Sequence, residues 1–131
     1  MSKSMNNMRT PLSRVRGLGS AKSGTDHWWH QRLTALALIP LSVWFAASLV
    51  SLSTGTLQEV KAWFSSPVVS GLMILLIGAT FYHLKLGIQV VIEDYIHVEW
   101  LKIMSLIVVA FGCIILGLGS IMAVIWLWIG G

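Results

Sequence analysis

His83 is the residue with the most chemistry open to it. It lies within a largely apolar run, 68–92, that also holds Lys85 and Gln89 and is long enough to cross a bilayer. An imidazole at that depth suits a haem ligand, a proton relay, another metal site or a hydrogen bond to a neighbouring helix. Gly87 follows four residues later, on the same helix face. Its missing side chain leaves room for a flat macrocycle against the backbone. Close helix packing uses glycine in the same way, and Gly71 and Gly78 of the run fit packing better. Asp94 comes eleven residues after His83, with Tyr95 beside it. Three helical turns span nearly eleven residues, so Asp94 returns to the His83 face. A carboxylate and a phenol at the rim below a buried imidazole suit a quinone carbonyl and its protons. Tyr95 equally fits the aromatic belt at a membrane surface.

A second polar group precedes the first apolar run, in the stretch DHWWHQR, residues 26–32. His27, His30 and Arg32 can meet haem propionates, a quinone or lipid phosphate, and Arg is well shaped for planar anions. They also fit a plain interfacial anchor. Lys85 shares the run of His83 on a different face, where it suits a partner's acid, a propionate or a water-filled gap. Glu93, Asp94 and Glu99 read as a solvated helix end rather than a metal cluster. Cys113 is the sole cysteine, so an internal disulfide, a covalent C-x-x-C-H haem and a cysteine-held cluster are excluded. Nucleotide-binding glycine loops and a hydrolytic triad context are absent as well.

The elements that must position these residues are membrane spans. Of the 131 residues, 56% are hydrophobic and 11% charged, against about 25% charged in a soluble domain. The sequence therefore predicts an all-α membrane protein with three transmembrane helices at about 33–52, 68–92 and 103–129, and not a soluble enzyme. A polar basic tail, 1–26, precedes a single membrane domain, 27–131. Pro40 is expected to kink the first span. The segment LQEVKAWFSSP, with Trp63 and Phe64 beside Glu59 and Lys61, reads as an interfacial turn of helix before Pro67, after a short loop, 53–58. Lys3, Arg9, Arg14, Arg16, Lys22, Arg32 and Lys102 fall on one side of the membrane and Lys61 on the other. The positive-inside rule then puts the N-terminus in the cytoplasm and Gly131 in the periplasm. So clustered beside a span, the basic tail signals topology or anionic lipid, not nucleic acid. Trp28, Trp29, Tyr95 and Trp100 would form the inner aromatic belt, and Trp63, Trp126 and Trp128 the outer. By helical rise His83 lies ~15 Å deeper than the helix ends, which is where His27, His30 and His97 are expected.

Two stretches carry a family resemblance. RVRGLGSAKSGTDHWWHQRLTALALIPL, followed by H-L-K-L-G-I-Q-V-V-I-E-D-Y from His83 to Tyr95, resembles the small cytochrome b anchor subunit of succinate dehydrogenase, respiratory complex II. The specific motif is H-x-x-x-G-x-Q with D-Y at plus eleven and plus twelve. The first stretch looks typical of alphaproteobacterial members, and the likeness spans residues 14–100. The resemblance implies a non-catalytic subunit that pairs with a second three-helix anchor and holds a flavoprotein and an iron–sulfur subunit on the bacterial inner membrane. The mitochondrial inner membrane is the alternative location. It implies a haem b shared between the anchors, with His83 as this chain's axial ligand. It also implies that ubiquinone is reduced near Tyr95, Asp94 and Arg32, with His30 and Arg32 near the propionates. Lys85 departs from the pattern, where an apolar residue is usual. A haem-free structural anchor or assembly protein, and the anchor of a fumarate reductase, are the competing functions.

Overall fold

The computed structural model describes residues 10–16 and 22–131. Its elements are α1 (Pro11–Val15), α2 (Lys22–Leu52), α3 (Leu57–Phe64), α4 (Pro67–Tyr95) and α5 (Glu99–Ile129). All secondary structure among the described residues is helical. Three segments are long and apolar enough to cross a membrane: Gly24–Leu52, Pro67–Tyr95 and Glu99–Ile129. At ~1.5 Å per residue each exceeds the ~30 Å of a hydrocarbon core, so the ends reach the headgroups or the helices tilt.

Every span is longer than its apolar run. The largest difference is in α2, which begins at Lys22 rather than near Leu33. Hydropathy marks where lipid begins, while backbone hydrogen bonding carries the helix on into the interface. DHWWHQR is therefore helical and stands on α2. The helix also continues without interruption through Pro40.

The stretch after α2 was readable in more detail than a loop and an interfacial turn. Thr56 and Glu59 form a capping box: the Thr56 side chain accepts from the Glu59 amide at 3.3 Å, and the Glu59 carboxylate accepts from the Thr56 amide at 2.6 Å. This pair satisfies two of the free amides at the start of α3. Pro67 occupies the first turn of α4, where its missing N–H costs nothing. The Ser70 hydroxyl, buried, donates to the Phe64 carbonyl at 2.6 Å and so ties the end of α3 to α4.

α4 is the central helix and packs on both α5 and α2. A core of Met73, Leu76 and Val124 sits at the α3 end, with Leu41, Trp44, Phe45, Trp63 and Phe64 against it. Here one assignment changes: Trp63 is half-buried and stacks on Trp44 at 5.7 Å, so it belongs to this core and not to the outer belt. α3 folds back on α4 and α5, which turns its tryptophan inward. Trp28, Trp29, Trp100, Tyr95, Trp126 and Trp128 are exposed as a belt requires. Farther along α4, Gly117 of α5 faces Phe81, whose ring would lie 3.5 Å from an added Cβ. That close approach fixes the turn of α4 that leads into His83. The outer faces of all three long helices remain apolar, with Leu36, Val43, Leu75, Phe111 and Leu116 exposed. Such faces suit lipid or further membrane helices.

Candidate functional site

His83 is half-buried between α4 and α2. Its Nδ1 lies 2.9 Å from Oγ1 of Thr34 on α2, a residue 49 positions away. The Thr34 hydroxyl in turn reaches the carbonyls of His30, at 2.8 Å, and Gln31, at 3.0 Å. That is the usual back-bonding of a helical threonine to its own preceding turn. Among the described residues Thr34 is the sole hydrogen-bond partner of His83, which leaves Nε2 free of one.

The contact also resets the depths of the other histidines. Thr34 stands level with His83, and His30 precedes Thr34 by four residues, or one helical turn of ~6 Å. The expected gap of ~15 Å is too large for His30 and His27, because α2 starts eleven residues before the apolar run and brings them further into the bundle. The His30 ring packs against that of Tyr82, centroids 6.0 Å apart.

One turn beyond His83, a groove of about 460 Å³ opens between α2 and α4, lined by Gly24, His27, Trp28, Gln31, Gly87 and Val90. The Gly87 backbone forms part of its wall. Within 4 Å of an added Cβ only Nε2 of Gln31 is present, at 3.6 Å. Nε2 of His27 and Oε1 of Gln31 are buried with no hydrogen-bond partner. Buried polar atoms without partners are costly, and both belong to residues that line this groove.

The rim residues are dispersed. Asp94 and Tyr95 end α4, both exposed. Arg32 is exposed on α2, its guanidinium 5.0 Å from the centre of the Trp28 ring, a cation–π distance. No hydrogen bond or ion pair among the described residues joins Arg32 to Asp94 or Tyr95. Gln89 donates to Glu93 at 2.9 Å. Lys85 faces the other side of α4, between shallow apolar grooves shared with Phe111 and Cys113 of α5. Within α4, His83 and Gly87 thus stand beside one another along the α2 contact, as the spacing predicts. Thr34, Gln31 and His27 complete that surface. Thr34 and Gln31 were not singled out from the sequence. The available signal was a hydroxyl one residue inside an apolar run and an amide one turn earlier on the same face.

Fold and site together define a three-span membrane subunit that carries an imidazole between its helices and polar groups at one rim. Residues 6–117 match the family model described as Succinate dehydrogenase/Fumarate reductase transmembrane subunit. The chain belongs to this family. Similar proteins include the succinate dehydrogenase hydrophobic membrane anchor subunit of Rickettsia conorii (strain ATCC VR-613 / Malish 7), 31% identical over 82% of this chain and 86% of that one. The protein of the same description from Rickettsia bellii (strain RML369-C) is 30% identical over 90% and 94% of the two chains. That of Paracoccus denitrificans is 32% identical over 79% and 80%. No solved structure matches. By family the chain is a non-catalytic membrane-anchor subunit, multi-pass and of bacterial inner-membrane type.

Proposed function

We propose that this chain anchors a succinate:quinone oxidoreductase on the membrane and contributes one wall each to a haem b site and a ubiquinone site. The observation that carries the reading is the pairing of His83 with Thr34 beside the Gly87 groove. The residues present fit a haem. His83 has a ring nitrogen without a partner. Gly87 supplies a bare stretch of backbone one turn away. The unpartnered His27 and Gln31 atoms flank the same groove and, with His30 and Arg32, suit propionates. When bound, a b-type haem supplies one-electron redox chemistry. In this reading a partner anchor would supply the other ligand to the haem, and its helices would cover the exposed apolar faces of α2 and α5.

Reduction of ubiquinone to ubiquinol takes two electrons and two protons. In this reading the electrons come from succinate through the flavoprotein and iron–sulfur subunits. Tyr95 donates a hydrogen bond to a quinone carbonyl and Asp94 passes on protons, while the permanently charged guanidinium of Arg32, two residues before Thr34 and so nearer the level of His83, steadies negative charge. With the N-terminus in the cytoplasm, Asp94 and Tyr95 lie on the cytoplasmic side, where protons and the soluble partner subunits are available. His83→Ala tests the assignment. It should remove or strongly alter the low-spin b-type spectrum of the assembled complex. Succinate oxidation with a soluble acceptor should persist. An unaltered spectrum at full haem stoichiometry would place both ligands in partner chains.

A further inference from the structure

We infer that Thr34 is the positioning residue for His83: its hydroxyl accepts the Nδ1 hydrogen of the imidazole, fixing the tautomer and the ring plane that present Nε2 to a metal. The inference rests on the reading of His83 as a haem ligand.

A threonine hydroxyl has one hydrogen to give and two lone pairs to accept with. Around Thr34 Oγ1 stand three neighbours within bonding distance: the His30 carbonyl at 2.8 Å, the Gln31 carbonyl at 3.0 Å and Nδ1 of His83 at 2.9 Å. Carbonyls only accept. The hydroxyl hydrogen directed at the preceding turn therefore leaves a lone pair of Oγ1 facing α4, and Nδ1 meets it as an N–H donor. In a neutral imidazole with the hydrogen on Nδ1, Nε2 carries the free lone pair. The other arrangement, with Thr34 donating to Nδ1, would put the ring's hydrogen on Nε2 and close that nitrogen to a metal.

Stiffness adds to the effect. The branched Thr34 side chain is limited at χ1, and back-bonding to the turn selects among its rotamers. The oxygen is thus held by α2, while the ring it orients belongs to α4. Imidazole rings are otherwise free to flip about a broad, two-fold torsion. Among the described residues Nδ1 has no other hydrogen-bond partner, and an unpaired Nδ1–H in this half-buried place would carry a desolvation penalty. Metal-bound histidines commonly donate their second nitrogen in this way, which raises the basicity of the ligand.

The test is a series at Thr34, measured in the assembled four-subunit complex, with succinate oxidation by a soluble acceptor as the control for assembly. The readouts are the haem midpoint potential and the low-spin ferric electron paramagnetic resonance signal, which responds to ring orientation. Thr34→Val keeps the branched shape and removes the acceptor. A less basic imidazole favours the ferric state less, so the potential should rise. A tenfold change in the ratio of ferric to ferrous affinity corresponds to about 59 mV for one electron. Thr34→Ser keeps the acceptor and loses only the branch, so it should stay closest to the wild-type value. Thr34→Cys, a weaker acceptor, should fall between serine and valine. If valine prevents assembly, the serine and cysteine variants still make the comparison. Loss of haem in valine but not in serine also supports the role. Wild-type potential and resonance signal in valine and cysteine, in a complex whose spectrum His83→Ala abolishes, would overturn the Thr34 role and leave the ligand intact. An unaltered spectrum in His83→Ala would overturn the ligand assignment and this inference with it.

Discussion

Gly87 offers the sharpest separation between a packing role and a cofactor role. An alanine methyl there would meet only the Gln31 amide, at 3.6 Å, an ordinary contact with the far end of a flexible side chain. The helix itself prefers alanine to glycine by ~1 kcal/mol. A leucine would extend into the open groove of about 460 Å³. For the chain alone both substitutions are therefore neutral or slightly favourable, and neither should reduce the amount of assembled subunit. If the groove wall is the face against which a haem lies, the same atoms overpack that contact. Overpacking costs ~1–3 kcal/mol, which at ~1.4 kcal/mol per tenfold means roughly 5- to 150-fold weaker haem retention, larger for leucine than for alanine. The assay is haem per complex by pyridine haemochrome, with succinate oxidation by a soluble acceptor as the denominator. Full haem content and an unchanged haem potential in Gly87→Leu would refute the reasoning and return Gly87 to ordinary helix packing.

Two further outcomes concern the rim and the orientation. Tyr95→Phe removes one hydrogen bond of the kind whose loss costs ~1–3 kcal/mol; quinone reduction should fall roughly 5- to 150-fold while assembly and haem content stay unchanged, and unchanged quinone kinetics would move the role to another residue. A compartment-sensitive reporter fused after Gly131 should be active in the periplasm only; cytoplasmic activity would reverse the topology and carry the Asp94–Tyr95 rim to the other face of the membrane.

The three spans were legible because each apolar run is long and nearly free of charge, a signal that needs no tertiary information. Their ends were not, since helices continue past the point where lipid stops, as α2 does for eleven residues from Lys22 to Leu33. The capping box at Thr56 and Glu59 was present as a local T-x-x-E pattern beside the interfacial segment. His83, Gly87 and the Asp94–Tyr95 pair could be related to one another because they share one helix, where spacing fixes the face. Thr34 could not be paired with His83 from spacing, because the contact joins residues 49 apart and depends on how deeply α2 slides along α4. Trp63 shows the opposite error: an aromatic at a helix end looks like a belt residue until α3 folds its ring inward onto Trp44.

The distance in sequence between Thr34 and His83 also bears on biogenesis. α4 and α5 are joined by only three residues, 96–98, so that hairpin is a local structure, quick to form once both helices are inserted. The first span enters the bilayer before it and must wait for α4 to exist before its hydroxyl has an imidazole to meet. The contact between Thr34 and His83 thus forms only once α4 has docked on the first-made helix. If His83 is a haem ligand, cofactor capture would then depend on α4 having docked on α2, and a copy lacking that docking would present an imidazole without its threonine partner.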